Sequence, residues 1–563
     1  MIRFQRIAQT VSLAIFLTLL YFAAHPFMEG LKVDLLLRLD PIVAIGTSIA
    51  AREFHYYLLP GIIVIASGLL LGRLFCGHIC PMGTTLDLAQ HMIGRASKPS
   101  AKASSFEATS GYRAWKYLFL AAIIAGAVGG VSLIHLGSPL SLITRFYGIV
   151  IYPITMLLGE LGLKWLMPSA AEQIFPELAY SEFPQKIFST NAFVAVVFAL
   201  IIALAYRQPR FWCRNLCPGG ALIGLFSCRP AFRRTVADSC SKCGRCIREC
   251  PTSAIRENAC QTMHSECIVC LRCKEICPES AISFSRGQES FSGPALPELN
   301  RREVLYGLGS GLVTAGLFRT GIHQPRPQGK ERPFVDEALI RPPGAVPESE
   351  FLTRCIRCGE CMKACPTNTL QPIWLKAGLE GIFSPVMTPR VGACAVNCNV
   401  CGKVCPTGAI RDIPLVEKKH AKVGTAWIVR QNCLVWEQDK KCLVCDEVCP
   451  YSAVSFKPVA GLKNAAPFVV ANKCIGCGWC ETRCPVEGAA AIRVNIIGEI
   501  RLSAGSYVEK SQEYGFIFKT RDKIHDGLAP DTFDSGEVSQ PQTEYPDSVS
   551  ETNSGIPPGF IPK

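Results

Sequence analysis

Twenty-four of the thirty cysteines in this 563-residue chain fall into six blocks of four, and every block ends in Cys-Pro. The first is Cys240, Cys243, Cys246 and Cys250, a Cys-x2-Cys-x2-Cys-x3-Cys-Pro run. The same spacing recurs at Cys267, Cys270, Cys273 and Cys277, at Cys355, Cys358, Cys361 and Cys365, and at Cys474, Cys477, Cys480 and Cys484. Two blocks have longer first gaps: Cys394, Cys398, Cys401 and Cys405, and Cys433, Cys442, Cys445 and Cys449. This is the thiolate run of cubane iron–sulfur clusters, whose fourth cysteine serves the neighbouring cluster. Three cysteines two residues apart wrap a loop around three irons, and backbone N–H groups in that loop offset the negative charge. The proline supplies no donor and fixes φ at the exit. Zinc ribbons use separated Cys pairs, and disulfide frameworks belong to small secreted domains, so neither fits. Six blocks imply six [4Fe–4S] clusters and a chain that moves electrons.

Blocks one and two form a compact unit, residues 236–286, that resembles a two-cluster bacterial ferredoxin. The resemblance implies that Cys240, Cys243, Cys246 and Cys277 share one cluster, and Cys267, Cys270, Cys273 and Cys250 the other. Blocks three to six, within residues 335–500, resemble the ferredoxin subunits of molybdopterin oxidoreductase systems, where the outer blocks pair and the inner blocks pair. Carried over, Cys355, Cys358, Cys361 and Cys484 share a cluster, as do Cys474, Cys477, Cys480 and Cys365. Cys394, Cys398, Cys401 and Cys449 make a third, and Cys433, Cys442, Cys445 and Cys405 a fourth. Pairing of adjacent blocks is the alternative, and the sequence does not choose between them. Cys228 and Cys260 stand outside all patterns and read as buried inert thiols.

The elements that must carry these blocks are of two kinds. Apolar residues make up 49% of the chain, and the mean hydropathy of +0.24 is high for a wholly soluble protein. The excess lies in the first 210 residues or so. Four stretches, 7–28, 58–75, 115–136 and 191–206, are apolar enough to span a membrane at about 17–25 residues each. A fifth, 146–167, carries Glu160 and Lys164 and suits the interface. Arg3 and Arg6, then Arg95, Lys98, Lys102 and Arg113, then Arg207, Arg210 and Arg214 mark alternate loops as cytoplasmic, whereas Glu172, Glu177 and Glu182 lie in an acidic loop. Four spans with a cytoplasmic N-terminus follow, which puts blocks one and two in the cytoplasm. The net charge of +13 is spread among these loops, which argues against a nucleic-acid patch. There is no dinucleotide fingerprint, P-loop or haem-attachment motif, no activated nucleophile and no catalytic residue to nominate.

Two further pairs, Cys76-x3-Cys80-Pro81 and Cys213-x3-Cys217-Pro218, sit where the second and last spans end. Two thiolates are too few for a closed tetrahedral metal site, but the two pairs together suffice. Thiol redox exchange and a plain helix-end role are the other readings. His25, His55 and His135 fall near the opposite ends of spans, where a quinol proton acceptor or haem ligand would sit. The matched Cys-x3-Cys-Pro pairs, with two cubane blocks downstream, resemble NapH-type and NosR-type membrane ferredoxins over residues 1–290. Arg301-Arg302 followed by the weakly apolar run 304–318 reads as a twin-arginine export signal placed mid-chain, or as a short buried helix. With the text from Cys355 to Asn368, it resembles the NapG and MauM type of exported ferredoxin over residues 301–500.

The expected architecture is a membrane α-helical bundle of about four spans plus α+β ferredoxin-like domains. Its segments are a transmembrane domain (1–225), a two-cluster domain (236–286), a linker (287–330), a four-cluster domain (335–500) and a polar disordered tail (522–563). The resemblances imply a non-catalytic component of the cytoplasmic membrane, with residues 335–563 on its far side. It would relay electrons between quinone and a partner redox protein, as in respiratory nitrate reduction, with membrane lipid around the bundle and no nucleic acid. A metal-maturation factor that reduces copper at Cys76, Cys80, Cys213 and Cys217 is the alternative. A redox sensor is weaker, because no effector module is visible.

Overall fold

A computed structural model of the protein describes residues 2–24, 30, 32–93, 106–166, 186–256, 258–286, 300–319, 339–374 and 378–521. His25, Arg95, Lys98, Lys102, the acidic loop at 172–182, almost all of the 287–330 linker apart from 300–319, and the 522–563 tail lie outside these residues. The chain divides into two compact units. The first comprises Met1–Glu331, Ala345–Val386 and Val400–Asp412, and the second Arg332–Gly344, Met387–Asn399 and Ile413–Lys563. This corrects the expectation of one continuous four-cluster domain over 335–500. Block three folds with the N-terminal half because its cations finish helix ends there. Lys363 Nζ donates to the carbonyls of Leu20, Tyr21 and Ala23, at 2.9 Å and 3.1 Å for the last two. It thereby serves the open C-terminus of the helix Ile2–Phe22.

In the first unit the helices that correspond to the apolar stretches and to the run after the paired arginines are Ile2–Phe22, Leu59–Leu71, Phe106–Val128, Asn191–Arg207 and Arg301–Arg319. Their lengths depart from the apolar stretches for local reasons. The third ends at Val128, not near 136, because Gly129-Gly130 follows and Gly130 turns left-handed at φ 78°. Among the described residues two helical segments, Phe4–Phe22 and Pro139–Gly162, are long and apolar enough to cross a membrane, against the four expected. The helices at Tyr56–Leu71 and Asn191–Arg207 are apolar but shorter. Pro139–Gly162 takes in much of the stretch assigned to the interface. It starts well before Phe146 because Ser138 Oγ accepts the Ser141 N–H (3.1 Å) and Pro139 occupies the first turn.

The run after the paired arginines is a helix lying along Phe106–Val128. Gly307 meets Leu118, Gly311 meets the Ala122 backbone and Ala315 meets Gly129, so the two helices run parallel. Small residues four apart let the backbones approach, as in membrane helix pairs.

The same helices present two different ends to the cysteine blocks. At one end, Arg113 Nη2 donates to the Ser253 carbonyl (2.6 Å), Gln5 meets Arg272 (3.4 Å) and Ala231 N–H reaches Leu69 O (3.1 Å). Blocks one and two therefore sit where Ile2–Phe22 and Phe106–Val128 begin and Leu59–Leu71 ends. Beside them Arg233–Val236 pairs antiparallel with Ile282–Ser285. At the other end, Tyr57 donates to Thr407 O (2.8 Å), Asn368 to Ile187 O (2.9 Å) and Arg354 to Glu53 (2.7 Å). Block three and the end of block four thus sit where Leu59–Leu71 and Asn191–Arg207 begin and Ile2–Phe22 ends.

The second unit carries two antiparallel strand pairs, Thr425–Ile428 with Ile492–Asn495 and Val454–Lys457 with Ala466–Val469. Blocks five and six thread between them.

Replacing Gly311 by Leu should force the Arg301–Arg319 helix off Ala122 and cost about 1–3 kcal/mol. Thermal unfolding of the detergent-purified chain checks this, with Gly309→Leu, which faces open space, expected near wild type.

Candidate iron–sulfur sites

The loops between the first three cysteines share one backbone signature. The residues flanking the second cysteine are both left-handed in four blocks: Lys242 and Gly244, Val269 and Leu271, Arg357 and Gly359, Gly476 and Gly478. Successive N–H groups in such a loop converge on one point and make an anion-binding concavity. A non-glycine residue there costs about 1–2 kcal/mol, which the bound group must offset. Blocks four and five, whose first gaps are longer, lack this pair, and only their third cysteines, Cys401 and Cys445, lie on the short helices Val400–Lys403 and Val444–Glu447. After the Cys-Pro exit a left-handed residue returns in every block: Ser253, Ser280, Asn368, Gly408, Ser452 and Gly488. That turn aims a backbone N–H at the fourth thiol. Ala254 reaches Cys250 Sγ (3.3 Å), Ile410 reaches Cys405 (3.4 Å), Ala453 reaches Cys449 (3.3 Å) and Ala491 reaches Cys484 (3.4 Å). Left-handed cradles and N–H groups on sulfur suit thiolate-held clusters, whose potentials such bonds tune.

The grouping of thiols is now visible. Cys250 lies beside Cys267, Cys270 and Cys273, where the two-cluster resemblance puts it; burial, then these neighbours, pushes the Cys267 thiol up. Cys246 neighbours Cys240 and Cys243 and packs in one small core with Cys277. Cys260, expected buried, is exposed beside Cys240. In the later blocks the outer-with-outer pairing is corrected. One cavity is lined by Cys355, Cys358, Cys361 and Cys405. In the second unit, Cys484 lines a cavity with Cys433, Cys442 and Cys445, and Cys449 lines another with Cys474, Cys477 and Cys480. Adjacent blocks pair because short local contacts close them. Val346 N–H bonds Ala409 O (3.2 Å) in the first unit, and Val470 N–H bonds Ala453 O (2.7 Å) in the second. Cys365 Sγ faces Thr367 Oγ1 at 3.5 Å. Cys394 and Cys398 belong to the second unit, where Cys394 N–H bonds Cys477 O (2.8 Å), and Cys401 and Cys405 belong to the first.

The two Cys-x3-Cys-Pro pairs meet. Burial first, then Cys76 and Cys213, pushes the Cys80 thiol up, and Cys217 feels Cys213, Cys76 and Cys80. Burial raises the Cys213 thiol to about 11 while Arg210 opposes it. Arg73 and Arg210, whose role at these pairs the sequence reading missed, each stand three residues before a pair and cross over to the other. Arg73 Nη2 donates to the Cys213 carbonyl (3.4 Å), and Arg210 Nη1 donates to the Cys76 carbonyl (3.0 Å). Each has a carboxylate partner: Glu266 at 2.9 Å for Arg73, Asp87 at 2.7 Å for Arg210. The repeat Arg-x2-Cys-x3-Cys-Pro was readable at 73–81 and 210–218. Among the described residues no three His, Cys, Asp or Glu side chains close tightly enough to hold a single metal ion.

His135 is buried against Arg357, inside the block-three loop, with Ser132 O 3.3 Å from Nδ1. Burial, then the Arg357 and Arg145 guanidinium groups, holds it well below the usual imidazole range, so it is neutral. It braces the loop. His55 stacks on Tyr57, ring centroids 5.0 Å apart.

Two changes test these groupings by EPR and redox titration. Cys484→Ser should perturb the centre of Cys433, Cys442 and Cys445 and leave that of Cys355, Cys358 and Cys361 intact. Arg234, whose guanidinium lies 3.8 Å from Cys246 Sγ, should on change to Gln lower that centre's potential by about 40 mV or more, the one-electron equivalent of about 1 kcal/mol.

Comparison with known proteins follows these divisions. One 4Fe–4S binding domain family matches residues 54–99 and 190–235, a second matches 235–256 and 467–488, and a 4Fe–4S dicluster domain matches 354–409. The methylamine utilization ferredoxin-type protein MauM of Paracoccus denitrificans is 41% identical over 28% of this chain and 72% of its own length. The ferredoxin-type protein NapG of Escherichia coli is 36% identical over 27% of this chain and 68% of its own. The ferredoxin-type protein NapH of Haemophilus influenzae is 26% identical over 45% of this chain and 75% of its own. No solved structure matches.

Proposed function

The chain belongs to the family of MauM- and NapG-type ferredoxin proteins and is an iron–sulfur electron-transport protein with multiple [4Fe–4S] clusters, and from that premise we propose that it is a multi-pass membrane relay. It passes electrons between a membrane quinone pool and a partner oxidoreductase. Six clusters sit on the 24 block cysteines. The observation that carries this reading is the placement of blocks one and two at one end of the helices of the first unit, and of block three at the other. With the bundle in a bilayer, these two groups of thiols face opposite aqueous sides. The parallel course of Arg301–Arg319 beside Phe106–Val128 then returns the chain to the far side, where block three begins. The alternation of basic loops favours the same orientation.

A soluble ferredoxin would need no such bundle. Most of the outward-facing side chains of Ile2–Phe22 are apolar and exposed, among them Ile7, Val11, Ile15 and Tyr21, which suits lipid contact.

Two measurements test the relay. A reporter active only outside the cytoplasm, fused after Arg521, should be active. In sealed proteoliposomes, a quinol should bleach the cluster absorbance, and a membrane-impermeant oxidant on the side opposite blocks one and two should restore it. An inactive reporter together with failure of the impermeant oxidant would place all clusters on one side and sink the reading.

A further inference from the structure

We propose that Cys76, Cys80, Cys213 and Cys217 together hold a further polynuclear iron–sulfur centre, built half from each copy of the Arg-x2-Cys-x3-Cys-Pro repeat. The proposal extends the relay reading above. The family description covering 54–99 and 190–235 is that of a 4Fe–4S binding domain, yet each matched segment brings only two of these cysteines. Neither half can satisfy a cluster alone, and the fold brings the halves together.

Three features give the site the character of the cubane blocks. The second thiol of each pair takes backbone N–H groups: Gly220 N–H lies 3.2 Å from Cys217 Sγ, and Cys80 is served by Met82 and Gly83. This matches the N–H groups on Cys250, Cys405, Cys449 and Cys484. The four thiols neighbour one another across the two pairs, and each pair's arginine bonds a cysteine carbonyl of the other pair. Charge also balances. Four thiolates on a core of charge 2+ leave two negative charges, and two buried guanidinium groups, Arg73 and Arg210, cross beneath them. Their partners are answered in turn: Glu266 by Lys116, Asp87 by Arg272.

The position is that of an intermediate station. Gly77, between Cys76 and Cys80, lies against the Ile268 carbonyl between Cys267 and Cys270, where no Cβ would fit. Toward the other end, Cys80 and Cys217 share one apolar core with Ile356 and Cys358. Gly219, beside Pro218, packs on Pro139 of the helix whose Ser141 Oγ donates to Ile356 O (2.8 Å).

The test is a count of iron and acid-labile sulfide on the full chain, purified without oxygen, together with Mössbauer spectra. The Cys76→Ser, Cys213→Ser double variant should lose about two to four irons and as many sulfides per chain, with the EPR signals of the block centres retained. Cys228→Ser should lose none. Unchanged iron and sulfide, or loss of one metal ion without sulfide, would overturn the proposal. Should the double variant fail to fold, Arg73→Lys keeps every thiol. Unchanged iron with one potential lowered supports the centre, and unchanged potentials throughout refute it. None of these counts depends on quinol oxidation, so the relay and the further centre fail independently.

Discussion

Thiolate-ligated clusters are anions held in places that water reaches poorly, and this protein's organisation follows from answering that charge. Part of the answer is backbone. The left-handed pairs around the second cysteine and the left-handed residue after Cys-Pro turn N–H groups toward sulfur. The rest is side-chain cation buried to an unusual degree. Arg73, Arg113, Arg210, Arg341, Arg357, Lys116, Lys363 and Lys422 are among the largest fully buried side chains. Burying an unpaired cation is costly, so these groups also bond carbonyls and carboxylates of neighbouring elements, and thereby fix how the elements meet. Lys363 at a helix end, Arg357 at the Ser132 carbonyl and Arg73 at Glu266 are contacts of this kind.

This double duty explains why the domain boundary falls inside the cysteine array. A division by composition puts all apolar sequence in one domain and all late cysteines in another. The cations between the cysteines of block three instead reach carbonyls at the ends of the apolar helices, so that block folds with the helices. Blocks five and six build their own core with the strand pairs around Ala426, Ala453 and Ile492.

How much of this could be read in advance varies with the range of the interaction. Ligand identity lies in local spacing, so the blocks were legible outright. The backbone signature was legible where glycine marks it, at Gly244, Gly359, Gly476 and Gly478, and hidden at Leu271 and Arg357, where a side chain tolerates the left-handed state. Pairing of blocks three to six depends on non-local contacts, and resemblance pointed to the wrong partners. Helix limits were misjudged where Gly129-Gly130 stops one helix and Ser138-Pro139 starts another, since hydropathy carries no capping information. The crossing arginines were written in the sequence as a repeat. Their role was not, because a charge three residues before a cysteine gains meaning only when its counterpart in the other copy is seen opposite.

The Lys363 contact also orders events in time. The carbonyls of Leu20, Tyr21 and Ala23 are made first, and the amine that satisfies them arrives about 340 residues later. Such separation raises the entropic cost of closure and slows it. The first helix must therefore persist with its terminal carbonyls served by solvent until Lys363 has been synthesised. The last stage of folding at that end is then a docking of preformed parts, and a ribosome stalled before residue 363 leaves a bundle whose far end is still open.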